Sequence, residues 1–298
     1  MPGTGGRLVS RPRRLSERKI FQEMKQIRAI FCDLDGTLLD SQGCLSSVNS
    51  RALDELYERG IIFVPTTGRA FGEMPSSVRE HKSLRYYLCS NGSVFFDKQT
   101  GEKHLLLMPA SAQRSITRTL EPYEYVPVNH VDNAGLIPEE QHSVKVLEEY
   151  NVEPYFVKHL MENTLPVSNF KQIFEEGRET EMMCAFFRHH SDAPKAAREL
   201  AEIEGIRITA SAHGSLEIIS ECAGKANAVR DAASLLGLEL GELIVAGDSG
   251  NDKEMLAMVF NSYAMENASD DVKAVASFLG CSNDDHIADY LLRIIKGE

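Results

Sequence analysis

Short apolar runs alternate with amphipathic segments along this chain. Three apolar runs are predicted to be buried strands of a parallel sheet, namely Ile27–Cys32, Ile61–Pro65 and Leu243–Ala246. Tyr86–Cys89 is predicted to be another strand. Helices are predicted from Ser46 or Ser47 to Gly60, over Gly224–Leu236, over Asn251–Met258 and over Asp285–Ile295. Repeated strand and helix units imply right-handed crossovers, so the pattern predicts an α/β protein with a parallel sheet.

Polar segments cluster where three of these strands are predicted to end, and a further one begins a helix. The four segments are Asp33-Leu34-Asp35-Gly36-Thr37, Thr66-Thr67-Gly68-Arg69, Gly224-Lys225 and Gly247-Asp248-Ser249-Gly250-Asn251-Asp252. Open α/β sheets bind ligands at the carboxyl ends of their strands. We therefore expect the four segments to form one reaction centre, which indicates an enzyme.

Carboxylates dominate this predicted centre. If Asp33, Asp35 and Asp248 converge, two carboxylates about 4 Å apart repel by roughly 1 kcal/mol in water and roughly 4 kcal/mol at an effective dielectric of 20. One divalent cation with Asp33, Asp35 and Asp248 among its oxygen ligands removes that repulsion, and Mg²⁺ is the natural choice. Asp252 lies one helical turn after Asp248 and is expected to ligate the metal or to orient its ligands.

The same residues suggest phosphoryl transfer. An ionised Asp33 needs no base to act as a nucleophile, and Asp35 is expected to give a proton to the leaving oxygen and to take one from water. A transferring phosphoryl group needs donors and cations aimed at its oxygens. Thr67, the amides near Gly68 and Lys225 can supply these. The amide of Asn251 is expected to contact the phosphate or Asp33.

Three further residues are candidates for contact with the rest of the substrate. Arg69 either binds substrate or pairs with an acid of the core. Asn91 either lines the mouth of the site or only forms a turn with Gly92, because Asn-Gly is a common turn dipeptide. Asn267 has comparable alternatives.

Taken together, the motifs resemble the phosphatases of the haloacid dehalogenase superfamily. The resemblance rests on Asp33-Leu34-Asp35-Gly36-Thr37-Leu38-Leu39, Thr67-Gly68-Arg69, Lys225 and Gly247-Asp248 with Asn251-Asp252. The segments Ser90-Asn91-Gly92, Ala264-Met265 with Asn267-Ala268, and Ser282-Asn283-Asp284 resemble its Cof-type sugar-phosphatase branch. Four motifs in this order are specific, whereas one Asp-x-Asp is weak. The resemblance implies a Rossmann-like core, a Mg²⁺-dependent aspartyl-phosphate mechanism and a large inserted cap.

The long stretch between Gly92 and Glu217 holds no phosphate motif and is the natural place for this cap. Its predicted strands are Tyr125–Val131, Met182–Arg188 and Ile206–Thr209, and its predicted helices are Ala110–Leu120, Ser143–Tyr150 and Ala193–Ile203. We place an inserted α+β cap at residues 110–214 and the catalytic core at 26–109 and 215–298. A cap over the site would exclude water and select the leaving group.

One position departs from the family pattern. His286 stands where the branch has glycine, and glycine permits backbone conformations that histidine disfavours. We therefore expect a reshaped loop after Asn283-Asp284, which does not affect the four motifs.

Composition and charge limit the partners. The chain has 298 residues, 43% of them hydrophobic, and a net charge of −12, which argues against a nucleic-acid surface. The sequence has no run long enough for a transmembrane helix and no signal-peptide core before the first strand, so we expect a cytoplasmic protein without membrane contact. Residues 1–25 are rich in arginine and lysine and are predicted to form a disordered extension.

The leading prediction is a Mg²⁺-dependent phosphatase that acts on a small phosphorylated metabolite, with sugar phosphates among the candidates. A phosphotransferase or phosphomutase on the same intermediate is one alternative. A phospho-ligand-binding protein without turnover is another, and intact Asp33, Asp35, Lys225 and Asp248 speak against it. The sequence does not reveal the oligomeric state.

Overall fold

The structure is a computed structural model that describes residues 27–175, 177–209 and 214–298, with the side chains of residues 174 and 175 left out of the description. The predicted basic extension over residues 1–25 lies outside the described residues. Within the described ranges, no helix combines the length and apolar character needed to cross a membrane.

A parallel sheet of five strands forms the core. The strands are β1 Ala29–Cys32, β2 Ile62–Pro65, β12 Leu243–Gly247, β13 Ser262–Ala264 and β14 Phe278–Leu279, and their order in the sheet is β14-β13-β12-β1-β2. Strand β1 is completely buried and pairs with β2 on one side and β12 on the other. Such burial is expected for a parallel sheet with helices on both faces, and it confirms the predicted α/β fold with a parallel-sheet core.

A small antiparallel sheet extends this core beyond β2. Its strands are β3 Tyr86–Cys89, β4 Val94–Asp97 and β5 Lys103–Leu105. An isolated parallel bridge between Thr66 and Leu88 joins it to the end of β2. The turn after β3 therefore lies beside the polar segment that follows β2.

The inserted segment forms a six-stranded sheet. Its strands are β6 Tyr125–Val131, β7 Ala134–Pro138, β8 Thr164–Val167, β9 Met182–Phe187, β10 Ile206–Thr209 and β11 Ser215–Ser220, in the order β10-β11-β9-β6-β7-β8. Strand β11 pairs with both β9 and β10. The chain thus remains in this sheet through Ser220, beyond the boundary predicted at residue 214. We refer to this sheet and its helices as the cap.

Helices flank both sheets. Those of the core are α1 Ser47–Glu58, α2 Ser76–Arg79, α8 Lys225–Leu235, α9 Lys253–Met258, α10 Asp270–Lys273 and α11 Ile287–Lys296. Those of the cap are α3 Ala110–Leu120, α4 Val144–Glu149, α5 Pro154–Asn163, α6 Phe170–Glu175 and α7 Ala193–Leu200. Helix α1 begins where the sequence predicts, because the Ser46 side chain accepts a hydrogen bond from the Asn49 amide.

His286 keeps the loop shape that glycine would allow. Its φ of 66° lies in the left-handed region, and the Ser46 hydroxyl oxygen lies 3.1 Å from its Nδ1. The loop therefore accommodates the histidine without leaving the backbone conformation that glycine favours, in contrast to the predicted reshaping.

Candidate active site

The predicted polar segments meet at the carboxyl ends of the core strands, beneath the cap. A cavity of about 150 Å³ lies there, with walls from both core and cap. Most of the predicted site residues line it, namely Asp33, Asp35, Thr67, Gly68, Arg69, Lys225, Asp248 and Asn251. The other predicted residues, Asp252, Asn91 and Asn267, lie behind or beside it.

Lys225 lies between two carboxylates at the base of this cavity. Its Nζ is 2.6 Å from an oxygen of Asp33 and 2.7 Å from an oxygen of Asp252, and all three residues are buried. Burial alone would lower the pKa of Lys225, but the two aspartates outweigh it and raise the pKa. Burial raises the pKa of Asp33 well above its usual range, and Lys225 opposes that shift. The ammonium group therefore stabilises the charge that burial would remove.

Asp248 completes an acidic group with Asp33 and Asp252. Each of the three offers one oxygen, and these oxygens lie within 4.8 Å of one another. Burial and the neighbouring Asp252 raise the pKa of Asp248 to about 6, against a hydrogen bond from the Thr37 hydroxyl. Three carboxylates around one ammonium group leave an excess of negative charge. The donor set and its charge fit a divalent cation that prefers oxygen ligands.

Two glycines allow these acids to approach. A Cβ atom on Gly36, whose φ is 75°, would lie 2.4 Å from a carboxylate oxygen of Asp248. A Cβ atom on Gly247 would lie 2.4 Å from Cγ of Asp252. Larger residues at either position would displace a member of the acidic group.

Asp35 lies apart from that group and faces the cap. Arg69 donates two hydrogen bonds to its carboxylate, at 2.8 and 2.7 Å, and the Tyr155 hydroxyl of α5 donates a third. Burial alone would raise the pKa of Asp35, but Arg69 and Tyr155 outweigh it and lower the pKa. The structure thus pairs Arg69 with a core acid, and it places the Asp35 side chain away from the oxygens that could hold a metal.

Thr67, Gly68 and Asn251 surround the cavity as predicted for groups that bind phosphate. Thr67 is buried, and its hydroxyl oxygen accepts a hydrogen bond from the Arg69 amide at 3.1 Å. The side-chain oxygen of Asn251 accepts from the Ser249 hydroxyl at 2.7 Å, which leaves its amide group turned toward Asn91 at 3.1 Å. These contacts hold polar groups of two separate loops on one side of the cavity.

Asn267 contacts the loop that carries Asp33 and Asp35. Its Nδ2 donates to the Gly36 carbonyl at 2.8 Å, and its Oδ1 accepts from the Asn283 amide at 3.2 Å. The structure therefore places Asn267 behind the cavity rather than in its wall.

Several cavity residues were not predicted. Glu73, at the end of a short turn in the core, is buried against His130 of β6 at 3.4 Å and His159 of α5 at 3.8 Å. Burial raises the pKa of Glu73, but these histidines outweigh it and bring the pKa to about 2. Tyr155 lies on a helix that the sequence analysis missed, although Pro154 at its start and the spacing of Val157 and Leu160 are signals of such a helix.

Comparison with known proteins identifies a family match and relatives of this chain. A haloacid dehalogenase-like hydrolase family model matches residues 30–291. Phosphatase YwpJ of Bacillus subtilis (strain 168) is 26% identical over 284 residues, which cover 90% of this chain and 99% of the relative. The 5-amino-6-(5-phospho-D-ribitylamino)uracil phosphatase YbjI of Escherichia coli (strain K12) is 27% identical over 283 residues, which cover 91% of this chain and 97% of the relative.

The fold agrees with these matches. A solved haloacid dehalogenase-like hydrolase from B. subtilis has a TM-score of 0.77 and 25% identity, and the match covers 91% of this chain and 99% of that chain. An acidic group beside a buried lysine, at the strand ends beneath a cap, is what the motif resemblance implies. The chain therefore belongs to the haloacid dehalogenase-like hydrolase family, and it is a phosphatase of the Cof-type branch.

Proposed function

We propose that this chain is a Mg²⁺-dependent phosphatase that hydrolyses small organic phosphate monoesters through an aspartyl-phosphate intermediate. The observation that carries the proposal is the arrangement around Asp33. A buried lysine holds one of its oxygens at 2.6 Å, and two further carboxylates lie within 4.8 Å of it, at the base of a cavity. A carboxylate in this setting has a fixed direction of approach to a phosphorus atom in the cavity.

Asp33 attacks phosphorus and the leaving alcohol departs. Lys225 orients the attacking carboxylate and neutralises charge on the transferring group, while Thr67 and the amides near Gly68 donate to its oxygens. Asp35 protonates the leaving oxygen and then takes a proton from the water that attacks the aspartyl-phosphate. In the free enzyme, Arg69 and Tyr155 hold Asp35 as a carboxylate. These contacts must therefore loosen when substrate binds, so that Asp35 can take up a proton from solvent before it protonates the leaving oxygen.

Asp33, Asp248 and Asp252 would hold the Mg²⁺ ion. When bound, the ion would neutralise charge on the phosphoryl oxygens and reduce the repulsion between the phosphate and the site. The Asp35 side chain is left out of this ligand set because its carboxylate accepts hydrogen bonds from Arg69 and Tyr155.

The cap wall favours a leaving group with an apolar face. Val128, Phe156, Leu160, Met182 and Phe186 form an apolar part of the cap side of the cavity, and the polar cap residues in its lining are His130, Tyr155, His159, Ser215 and Glu217. Sugar hydroxyl groups that faced only the apolar part would lose hydrogen bonds to water without replacement. The name of YbjI specifies a uracil ring on a phosphorylated ribityl chain. We propose that ring-bearing phosphate esters fit this wall better than simple sugar phosphates.

The cytoplasmic location of the protein stays a prediction.

Hydrolysis of p-nitrophenyl phosphate tests this proposal. Purified enzyme with Mg²⁺ is expected to release p-nitrophenol and free phosphate in equal amounts, and EDTA is expected to abolish the activity. The Asp33→Asn variant removes the nucleophile and is expected to lose at least roughly 10³-fold in kcat. Similar activity in Asp33→Asn and in the unmodified protein would contradict the proposed chemistry. Phosphate appearing on an added alcohol instead of in solution would indicate a phosphotransferase.

A further inference from the structure

Asn91 joins three segments of the core that surround the cavity. Its backbone amide donates to the Thr67 carbonyl at 3.0 Å, and its carbonyl accepts from the Gly224 amide at 3.0 Å. Its side-chain oxygen accepts from the amide of Asn251 at 3.1 Å. Asn91 therefore touches the segment of Thr67, the segment of Lys225 and the segment of Asp248 and Asp252.

The same side chain also reaches the cap. Its Nδ2 donates to a carboxylate oxygen of Glu217, on β11, at 2.7 Å, and lies 3.4 Å from the sulfur of Met182, on β9. Asn91 is 1% exposed and Glu217 is 7% exposed. A hydrogen bond to a buried carboxylate is costly to lose, because the remaining charge would have no equivalent water contact.

The residue before Asn91 makes a parallel contact. The Ser90 hydroxyl donates to Glu181 of the cap at 2.8 Å, and Glu181 in turn accepts from the Asn133 amide. Ser90 and Asn91 are consecutive non-glycine residues with φ of 50° and 53°. Such conformations are unfavourable for residues other than glycine and persist where surrounding contacts fix them. Two adjacent side chains of the core thus hold two buried acids of the cap.

We propose that Asn91 is a positioning residue that couples docking of the cap to the geometry of the phosphate site. When Glu217 of the docked cap holds one end of the Asn91 amide, the other end accepts from the Asn251 amide and so fixes the orientation of the Asn251 side chain in the cavity wall. The cap thereby contributes to binding of the phosphoryl group without touching it. This inference deepens the proposed phosphatase function and rests on it.

The contacts of Asn91 distinguish positioning from substrate binding. Its Nδ2 faces Glu217 and Met182, and its Oδ1 faces Asn251. Both ends of the amide are thus engaged within the protein. Asn251 lines the cavity, whereas Asn91 is absent from the wall. The path from cap to phosphate therefore runs from Glu217 through Asn91 to Asn251.

Glu217 allows a test in which charge and positioning act in opposite directions. Glu217 lines the cavity, so loss of its negative charge by itself would strengthen binding of an anion. Glu217→Gln keeps an oxygen that can accept from Asn91, and inorganic phosphate should inhibit this variant as well as or better than the unmodified enzyme. Glu217→Ala keeps no acceptor. We expect its inhibition constant for inorganic phosphate to rise by about five- to tenfold.

A reciprocal exchange tests the same contact from the core. Asn91→Asp places a carboxylate against Glu217, and we expect kcat/KM for p-nitrophenyl phosphate to fall by at least roughly 30-fold, because like charges at this distance repel. In the double variant Asn91→Asp with Glu217→Gln, the amide at position 217 donates to one oxygen of the carboxylate at position 91. The second oxygen of that carboxylate can still accept from Asn251. We expect this double variant to be at least tenfold more active than Asn91→Asp. Thr209→Val is the matched control, because it removes a different hydrogen bond to Glu217, at 3.1 Å, and leaves Asn91 untouched.

Hydrogen exchange of the cap and core distinguishes failure of the Asn91–Glu217 contact from failure of the proposed phosphatase function. If Asn91→Asp increases exchange around β11 and the double variant reverses it, the contact couples cap and core even where no hydrolysis is found, and only the proposed function fails. The inference is overturned if Glu217→Ala binds phosphate as tightly as Glu217→Gln. It is also overturned if the double variant folds but stays as impaired as Asn91→Asp, or if Asn91→Asp is fully active.

Discussion

Individual residues of this site carry charge in places that exclude water. Lys225 is almost completely buried between Asp33 and Asp252, and Glu73 is buried against two histidines of the cap. A buried charge is tolerated only where partners replace its hydration. The charged state of Lys225 and Glu73 therefore depends on the charged groups that face each of them, and these groups shift its pKa.

Glu73 gives the clearest pH dependence. Its pKa in the folded protein is about 2, against an ordinary value of 4.5. Because the folded pKa is lowered, its contribution to stability is complete above about pH 4.5 and is lost as the pH falls toward 2. The free energy of unfolding of the unmodified protein should exceed that of the Glu73→Gln variant by a constant amount near neutral pH. This difference should shrink by up to about 3 kcal/mol as the pH falls toward 2.

Denaturant unfolding at a series of pH values measures this difference. Glu80→Gln is the control, because Glu80 is an exposed carboxylate near the same turn, with 73% of its side chain accessible. A difference between the unmodified protein and Glu73→Gln that stays constant down to pH 3 would contradict the role of the two histidines.

Residues in the motifs could be predicted because their type and spacing follow from the reaction. The proposed reaction needs a nucleophile, a proton carrier, a lysine and metal ligands in one place, and short local patterns around Asp33, Lys225 and Asp248 predicted the convergence that the structure shows. Glu73, Tyr155 and Glu217 could not be found this way. They reach the cavity only through the packing of cap on core, which joins positions distant in sequence. The Asp35 side chain was expected among the metal ligands, but its partners Arg69 and Tyr155 come from separate elements.

At the scale of elements, a buried asparagine connects three parts of the core. Asn49 on α1 donates from Nδ2 to the Leu38 carbonyl at 2.9 Å and accepts at Oδ1 from the Ala288 amide of α11 at 3.0 Å. It is 1% exposed. Helices α1 and α11 pack together through this contact, and the loop that follows Asp33 is anchored to α1 by it.

Asn49→Ala should therefore destabilise the protein. Two buried backbone groups would lose their partner, which costs roughly 2–4 kcal/mol in the free energy of unfolding. Chemical denaturation measures this value, and Ser47→Ala, at an exposed position of the same helix, is the control. A loss below about 1 kcal/mol would show that water or neighbouring groups replace both hydrogen bonds.

Elements with a strong periodic pattern were predicted closely, and the remainder depended on tertiary pairing. The predicted strands Tyr86–Cys89, Tyr125–Val131 and Ile206–Thr209 have the observed bounds. Strand β11 was assigned to the core because a buried run of apolar residues does not reveal which sheet it joins. Its antiparallel pairing with β9 and β10 decides that.

At the scale of the whole molecule, core and cap line one cavity, and we assign the proposed chemistry to the core and closure of the cavity to the cap. The core supplies Asp33, Lys225 and the acidic group, and the cap supplies an apolar wall together with contacts to Asp35, Asn91 and Glu73. Contacts of this kind make the site complete only when the two parts are docked. The family relation extends over nearly all of the chain, so this division is part of the shared fold.

Chemical trapping of the intermediate tests directly whether Asp33 becomes phosphorylated during the reaction. In Asp35→Asn, p-nitrophenolate can leave without an acid, but the attacking water has no base, so phosphate should accumulate on the enzyme. Borohydride reduction of the acid-quenched enzyme converts an aspartyl-phosphate to homoserine. Peptide mass spectrometry is predicted to find homoserine at position 33, only after incubation with both substrate and Mg²⁺. Homoserine at another aspartate, or no homoserine while Asp33→Asn still hydrolyses the substrate, would contradict the proposed aspartyl-phosphate at Asp33.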